Sequence, residues 1–224
     1  MPTTTFFRLP EEKRQRLLEA SWTELTRVRF TEVSINRIIA AAHIPRGSFY
    51  QYFTDKEDLI RYLLEDMRQY FIALLRNILE EAQGDLFALP LMAYDRFISQ
   101  QGHTDPMLTL FIRLLVLNKG LDLQSFIGPP SCRIGEPRSF LPDPLWEAVD
   151  PARLRYGSRA YADEVFHLTC AVLAFAIVET LQTPEKATQD QNLARIAQTR
   201  EMIKVRMDVL RYGGAAEGYK EATV

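Results

Sequence analysis

Apolar residues recur along this chain at steps of three and four, the spacing of helices that bury one face. Leu18, Trp22, Leu25 and Val28 predict a first helix from Pro10 to about Arg29, started by Pro10-Glu11-Glu12. Ser34 is placed to cap a short second helix whose buried face is Ile35, Ile38, Ile39 and Ala42. His43-Ile44-Pro45 interrupts it, because proline disfavours helical geometry in the residue before it. A third short helix follows, from Pro45 or Arg46 to about Tyr52. Thr54-Asp55-Lys56-Glu57 has the form of a capping box. A long helix starts there, with the stripe Leu59, Leu63, Met67, Tyr70, Leu74 and Ile78, and it ends at Gly84.

The pattern stays helical through about 88–101 and 106–118. Residues 128–151 are rich in glycine and proline and predict a long loop with one helical turn near Leu145-Trp146. Asp150-Pro151 restarts a helix that is apolar around most of its circumference as far as Gln182, before Thr183-Pro184 breaks it. Such a helix must be covered on more than one side. Leu193, Ile196, Arg200, Ile203, Met207 and Leu210 mark a last long helix ending at Gly213-Gly214, and 215–224 read as a frayed tail. No strand period occurs, so the fold class is all-α.

Composition narrows the function. The 224 residues are 47% hydrophobic and 25% charged, which supports a packed core and excludes intrinsic disorder. A net charge of -2 excludes a polybasic coat for nucleic acid, so any such contact is a local patch. Residues 1–56 hold nine Lys/Arg against six Asp/Glu, +3 in all, which leaves -5 for the rest: a basic head on an acidic body. No unbroken apolar run reaches the roughly eighteen residues of a membrane span, and the start lacks the regions of a secretory signal. A cytoplasmic protein without membrane partners is expected. Cys132 and Cys170 have no partner spacing and read as reduced thiols. His103, His167 and Cys170 form no ligand or catalytic set, so neither metal, cofactor nor enzyme activity is expected.

Two short helices joined by a tight turn, between a longer helix and a capped one, make a helix-turn-helix whose second helix can enter a major groove. The residues there suit that use. Arg46 can fork onto guanine, Gln51 can pair with an adenine edge, Ser48 adds a donor, and Gly47 keeps the helix slim. Tyr50, Tyr52, Ser34 and Lys56 sit near helix ends, where hydroxyls, an ammonium and free amides hold phosphates.

Residues 9–60 closely resemble the amino-terminal signature of the tetracycline-repressor (TetR) family of bacterial transcription regulators, most specifically at Gly47-Ser48-Phe49-Tyr50-Gln51-Tyr52-Phe53-x-x-Lys56-Glu57-x-Leu59. The resemblance implies that Ser34 caps the second helix and touches phosphate, and that Tyr50 and Lys56 grip phosphate. It places Arg46, Ser48 and Gln51 toward the groove, with Asn36 and Arg37 on a DNA-reaching face of the second helix. Two positions depart from the family pattern. His43 stands where glycine is usual in the turn, which predicts strain or an altered turn, and Pro45 stands where serine often caps the recognition helix.

The expected organisation is a DNA-binding domain at 1–57 and a helical ligand-binding and dimerisation domain at 58–224, linked by the helix from Thr54. The helices at 160–182 and 190–211 are the expected homodimer faces, two from each subunit forming a four-helix bundle. Tyr94, Phe97, Phe111, Arg113, Asn118, Phe126, His167 and Cys170 are candidate walls of a small-molecule effector cavity. The function expected is a ligand-responsive regulator, a repressor, that binds a palindromic double-stranded operator as a homodimer. Its rivals are a helical enzyme built on 86–182 and an interaction module that has lost DNA binding.

Overall fold

The computed structural model describes residues 2–98, 104–118, 140–181 and 188–213. Among them every regular element is helical, and the one β feature is an isolated bridge between Ile98 and Thr104. The chain forms two compact units: residues up to 71 together with 106–118 in the first, and the remaining described residues in the second.

In the first unit α1 (Thr4–Phe7) precedes α2 (Glu11–Leu25), a 3₁₀ turn (Phe30–Glu32), α3 (Ile35–Ala41), α4 (Arg46–Tyr52) and α5 (Lys56–Glu81), whose first sixteen residues belong here. α7 (Pro106–Leu117) also belongs to it. The core gathers Phe6, Leu17, Leu25, Ile38, Phe49, Phe53, Leu59, Leu63 and Leu114. α2 buries Leu17, Ala20, Ser21, Glu24 and Leu25, so the predicted stripe is rotated: Leu18, Trp22 and Val28 lie at the rim. The helix also stops earlier than Arg29. The amides of Arg27 and Val28 both donate to the Glu24 carbonyl, and Arg29 is extended. α1 was not anticipated.

α5 is capped one residue later than expected. Asp55, not Thr54, accepts the Asp58 amide at 2.7 Å, and the Asp58 carboxylate accepts the Thr54 amide at 3.2 Å. Aspartate is as good a cap as threonine, and with the helix starting at Lys56 it holds the capping position. At the far end of α7, Asn118 ties that helix to the head of the unit. Its side-chain oxygen accepts the Phe30 amide at 3.0 Å while its amide donates to the Leu114 carbonyl at 2.9 Å.

The second unit contains the end of α5, α6 (Leu89–Phe97), α8 (Asp143–Trp146), a 3₁₀ turn (Pro151–Arg153), α9 (Arg159–Leu181) and α10 (Gln189–Tyr212). α9 lies against α6 and α10. Polar pairs fix the register of these helices: the buried Tyr94 hydroxyl meets that of Thr180 at 2.6 Å, and the half-buried Arg200 holds Asp95 through two bonds of 2.6 and 2.7 Å. Gly84 has a left-handed φ of +75°, and a β-carbon there would lie 2.3 Å from the Asp150 nitrogen, so the turn after α5 requires glycine. Asp150-Pro151 does not restart a helix. It forms only the 3₁₀ turn, with Asp150 accepting the Ala152 amide at 3.0 Å, and α9 begins eight residues further on at Arg159. The predicted turn at Leu145-Trp146 is α8. α10 opens on a capping box between Thr188 and Gln191 and closes at Gly213. Residues 99–101, most of the predicted loop, the Thr183-Pro184 break and the tail lie outside the described residues.

α9 bears on the membrane reading of the sequence without overturning it. No unbroken apolar run is long enough, yet the helix taken whole is long and apolar enough to cross a membrane by length and composition. Asp163, Glu164 and Glu179 interrupt its apolar run without making the helix as a whole polar. One side of α9 packs within the unit through Ala162, Phe166, Leu173, Ala176 and Ile177. The other exposes Leu168, Phe175 and Val178 beside Val205 and Val209 of α10, and together these helices border an apolar groove of about 390 Å³.

Candidate nucleic-acid interface

The turn between α3 and α4 is built from backbone bonds. Ile44 donates to the Ile39 carbonyl at 3.0 Å and His43 to the Ala40 carbonyl at 3.3 Å, the pair of bonds that ends a helix on a left-handed residue. That residue is His43, with φ of 54°. The strain expected of histidine at this position is therefore present, while the turn itself keeps its ordinary form. Ile44 is buried directly after it and anchors the turn in the core. Pro45 then supplies an extended entry to α4, with no side-chain cap.

α4 has two distinct faces. Phe49 and Tyr52 are buried, whereas Arg46, Gly47, Tyr50 and Gln51 are exposed and Ser48 is half-buried. At about 100° per residue the four exposed positions cover about 140° of circumference, a continuous outward strip. Arg46 makes no ion pair among the described residues, and a β-carbon on Gly47 would meet nothing within 4 Å. Tyr50 is 48% exposed, its ring edge-on to that of Phe49 at 5.4 Å. Tyr52 is different from the other sequence candidates: its ring belongs to the core, 6.4 Å from that of Phe6.

The remaining candidates sit on the neighbouring elements. Asn36 and Arg37 are exposed on α3. Arg37 is already engaged, donating to Glu24 from Nε at 2.8 Å and to the Glu32 carbonyl at 3.0 Å. Lys56 donates to the Thr31 carbonyl at 3.1 Å. Ser34 occupies the capping position of α3, but its hydroxyl makes no bond to the helix amides, which corrects the capping role read from the sequence. Instead its backbone amide donates to Glu24 at 3.1 Å.

Glu24 is the residue that sequence reasoning missed. It is only 4% exposed, and it accepts from Arg37, Arg27 and the Ser34 amide. Burial pushes its pKa up, but bonds from Arg37, Arg27 and Ser34 outweigh that and hold the carboxyl below its ordinary value. The signal was in the periodicity: Leu17, Ala20, Ser21 and Glu24 share the buried face of α2, which puts a carboxylate where only a paired one is tolerated.

Of the eight candidate effector residues, the seven that are described line neither the cleft beside α6 and α10 nor the apolar groove of α9 and α10. Within that unit Tyr94 and Phe97 are buried core, and Tyr94 is bonded to Thr180. His167 is exposed and stacks on Phe140 at 4.1 Å between ring centroids. Cys170 is a free thiol whose pKa is pushed up to about 12 by burial, so it is neutral. In the first unit Phe111 packs edge-on to Phe71 at 5.6 Å, Asn118 is bonded to Phe30, and Arg113 is exposed. Phe126, His103 and Cys132 lie outside the described residues. Among the described residues no three His, Cys, Asp or Glu side chains are grouped to hold a metal ion.

The family comparison agrees with this geometry over the helix-turn-helix. The family described as bacterial regulatory proteins, tetR family, matches residues 17–63, which run from α2 into α5. The transcriptional regulator AcuR of Cereibacter sphaeroides is 39% identical over 61 residues, 27% of this chain and 28% of that protein's length. Among solved structures, a TetR family transcriptional regulator from Chloroflexus aurantiacus has 23% identity and a TM-score of 0.43, over 95% of this chain and 98% of that one. FadR, a fatty acid degradation regulator from Bacillus halodurans, has 15% identity and a TM-score of 0.44, over 88% of this chain and 96% of that one. What the comparisons show is thus confined to the amino-terminal stretch: residues 17–63 form a helix-turn-helix domain that matches the tetR family of bacterial regulatory proteins.

Proposed function

We propose that this protein is a cytoplasmic, ligand-responsive repressor that binds a palindromic DNA operator as a homodimer. Residues 1–57 carry recognition, and residues 58–224 carry effector binding and dimerisation. The observation that carries the reading is the outward strip of α4, where Arg46, Gly47, Tyr50 and Gln51 are exposed on a helix whose opposite face is locked by Phe49 and Tyr52. Arg46 and Gln51 read base edges, with Ser48 beside them, while Tyr50, Ser34 and Lys56 hold the backbone. Asn36 and Arg37 flank this strip from α3.

A dimer is supported by the apolar groove of α9 and α10, which a second copy covers with the same surface. Two recognition helices then fall about one duplex turn apart, ~34–36 Å, on successive major grooves. The effector role is supported by the likeness of residues 17–63 to tetR-family regulators. A small molecule that binds one spacing of the dimer better than the other shifts it toward or away from the operator.

Selection of duplexes from a random pool by the purified full-length protein tests this reading. A palindrome is expected, with log affinity falling linearly in log salt. Arg46→Ala should lower affinity for the selected duplex more than for a scrambled one. Equal loss on both reassigns Arg46 to phosphate contact. Failure to select any duplex overturns DNA recognition and leaves a protein-interaction module.

A further inference from the structure

Recognition helix α4 has only seven residues, and so short a helix has few bonds of its own for the carbonyls at its carboxyl end. The chain supplies two of them from far away in sequence. The Thr3 amide donates to the Tyr52 carbonyl at 2.9 Å, and the Thr3 hydroxyl donates to the Gln51 carbonyl at 2.5 Å. Phe6, one turn on in α1, is fully buried beneath the same end. Its ring lies 5.0 Å from that of Phe53, 5.3 Å from Tyr62 and 6.4 Å from Tyr52. The Phe53 amide closes α4 by donating to the Phe49 carbonyl, so the carbonyls of Phe49, Gln51 and Tyr52 all have partners at this end.

We propose that Thr3–Phe7 is a positioning element for DNA recognition, with Thr3 capping the recognition helix from a distant part of the same chain and Phe6 wedged under it, so that together they set the angle at which Arg46 and Gln51 are presented. This rests on the DNA-binding reading above. The capped residue is itself informative: Thr3 bonds the backbone of Gln51, whose side chain stands on the outward strip. A helix end held by fixed donors keeps that side chain in register, whereas a frayed end lets it wander. Loss of the cap therefore acts on discrimination between sequences more than on phosphate attraction, because α4's base-reading positions move while Lys56 and the α3 face stay where they are.

The experiment uses the full-length protein, with anisotropy titration of the duplex that wild type selects from a random pool and of a scrambled duplex at one salt concentration. Thr3→Val removes the hydroxyl and keeps the shape and the backbone amide. It is expected to weaken the selected duplex about fivefold, the size of one net hydrogen bond, and to leave the scrambled duplex and the salt slope unchanged. Thr3→Ser restores wild-type discrimination. Thr3→Ala removes the same hydroxyl and takes the place of Thr3→Val if that variant melts below the assay temperature. Unchanged discrimination, equal loss on both duplexes, or no restoration by serine overturns the proposal while wild type still selects its duplex. A wild type that selects no duplex removes the DNA-binding reading itself, and the proposal with it.

Discussion

Glu24 on α2 holds Arg37 on α3 across the amino-terminal unit, with 2.6 Å between carboxylate and guanidinium, and the same carboxylate accepts the amide that begins α3. A carboxylate buried this deeply is tolerated because three donors converge on it. It orients the first helix of the helix-turn-helix against the long helix that supports it.

Glu24→Gln keeps the shape and removes the charge. Arg37 is about half exposed, so solvent screens part of the pair, and the expected loss is ~1–2 kcal/mol of stability at pH 7. The pH dependence has a definite sign. The folded-state pKa lies below the ordinary value of 4.5, so the contribution is fully present above 4.5 and fades as pH falls toward the depressed value. Urea denaturation of both proteins between pH 7 and pH 3 should show their stability difference shrinking below 4.5. A difference that is constant across that range would mean the charge of Glu24 is not what stabilises the junction.

Gly47 lies inside α4 without positive φ, and no neighbour within 4 Å excludes a side chain. The fold gives this glycine no reason to be there, and a helical glycine costs ~0.5–1 kcal/mol relative to alanine. Gly47→Ala should therefore raise the melting temperature and at the same time weaken binding to the selected duplex, since the added methyl stands on the surface that approaches the bases. Thermal melts and anisotropy titration read the two effects separately. A variant that gains stability and binds as tightly as wild type would place Gly47 outside the interface.

His43 presents the opposite case, a residue with a side chain where the backbone is left-handed at φ of 54°. Both bonds of the helix-ending turn are made despite it, so the strain is local. His43→Gly should stabilise the protein by ~0.5–1 kcal/mol, partly offset by the greater freedom of glycine in the unfolded chain. Differential scanning calorimetry is the measurement, and an unchanged or lower transition would show that the imidazole makes a compensating contact.

The helices were legible in the sequence wherever an apolar stripe ran for several turns, as in α5 with Leu59, Leu63 and Met67. The short α3 and α4 were legible because proline and the motif around Gly47 bound them. What escaped was set by tertiary pairing. Glu24 shares the spacing of the buried face of α2, but its partner Arg37 stands thirteen residues away, beyond any local pattern. Thr3 gains its role only when Gln51, 48 residues away, comes within bonding distance. Tyr52 follows the same logic in reverse: its hydroxyl suggested phosphate, but the ring faces Phe6, which no local pattern connects to it. At Asp150-Pro151 the local signal for a helix start was satisfied by a single 3₁₀ turn, because Asp150 also donates its amide to Gly84 and so holds the chain in place there.

The exposed face of α9 and α10 yields the last prediction. Phe175 is 64% exposed, with Val205 at 62% and Val209 at 50% beside it, a concentration of large apolar side chains that a lone soluble chain seldom presents. Burying one phenylalanine stabilises an interface by ~1.5–3 kcal/mol, and two-fold symmetry counts it twice. Phe175→Glu puts a carboxylate into that surface and should convert a sedimenting dimer into a monomer at micromolar concentration, without lowering helical content. Because each half-site is read by one subunit, the variant should lose most of its affinity for the full palindrome and keep that for a single half-site. A wild-type protein that sediments as a monomer, or a Phe175→Glu variant that stays dimeric, would show that the two helices meet something other than a second copy of the chain.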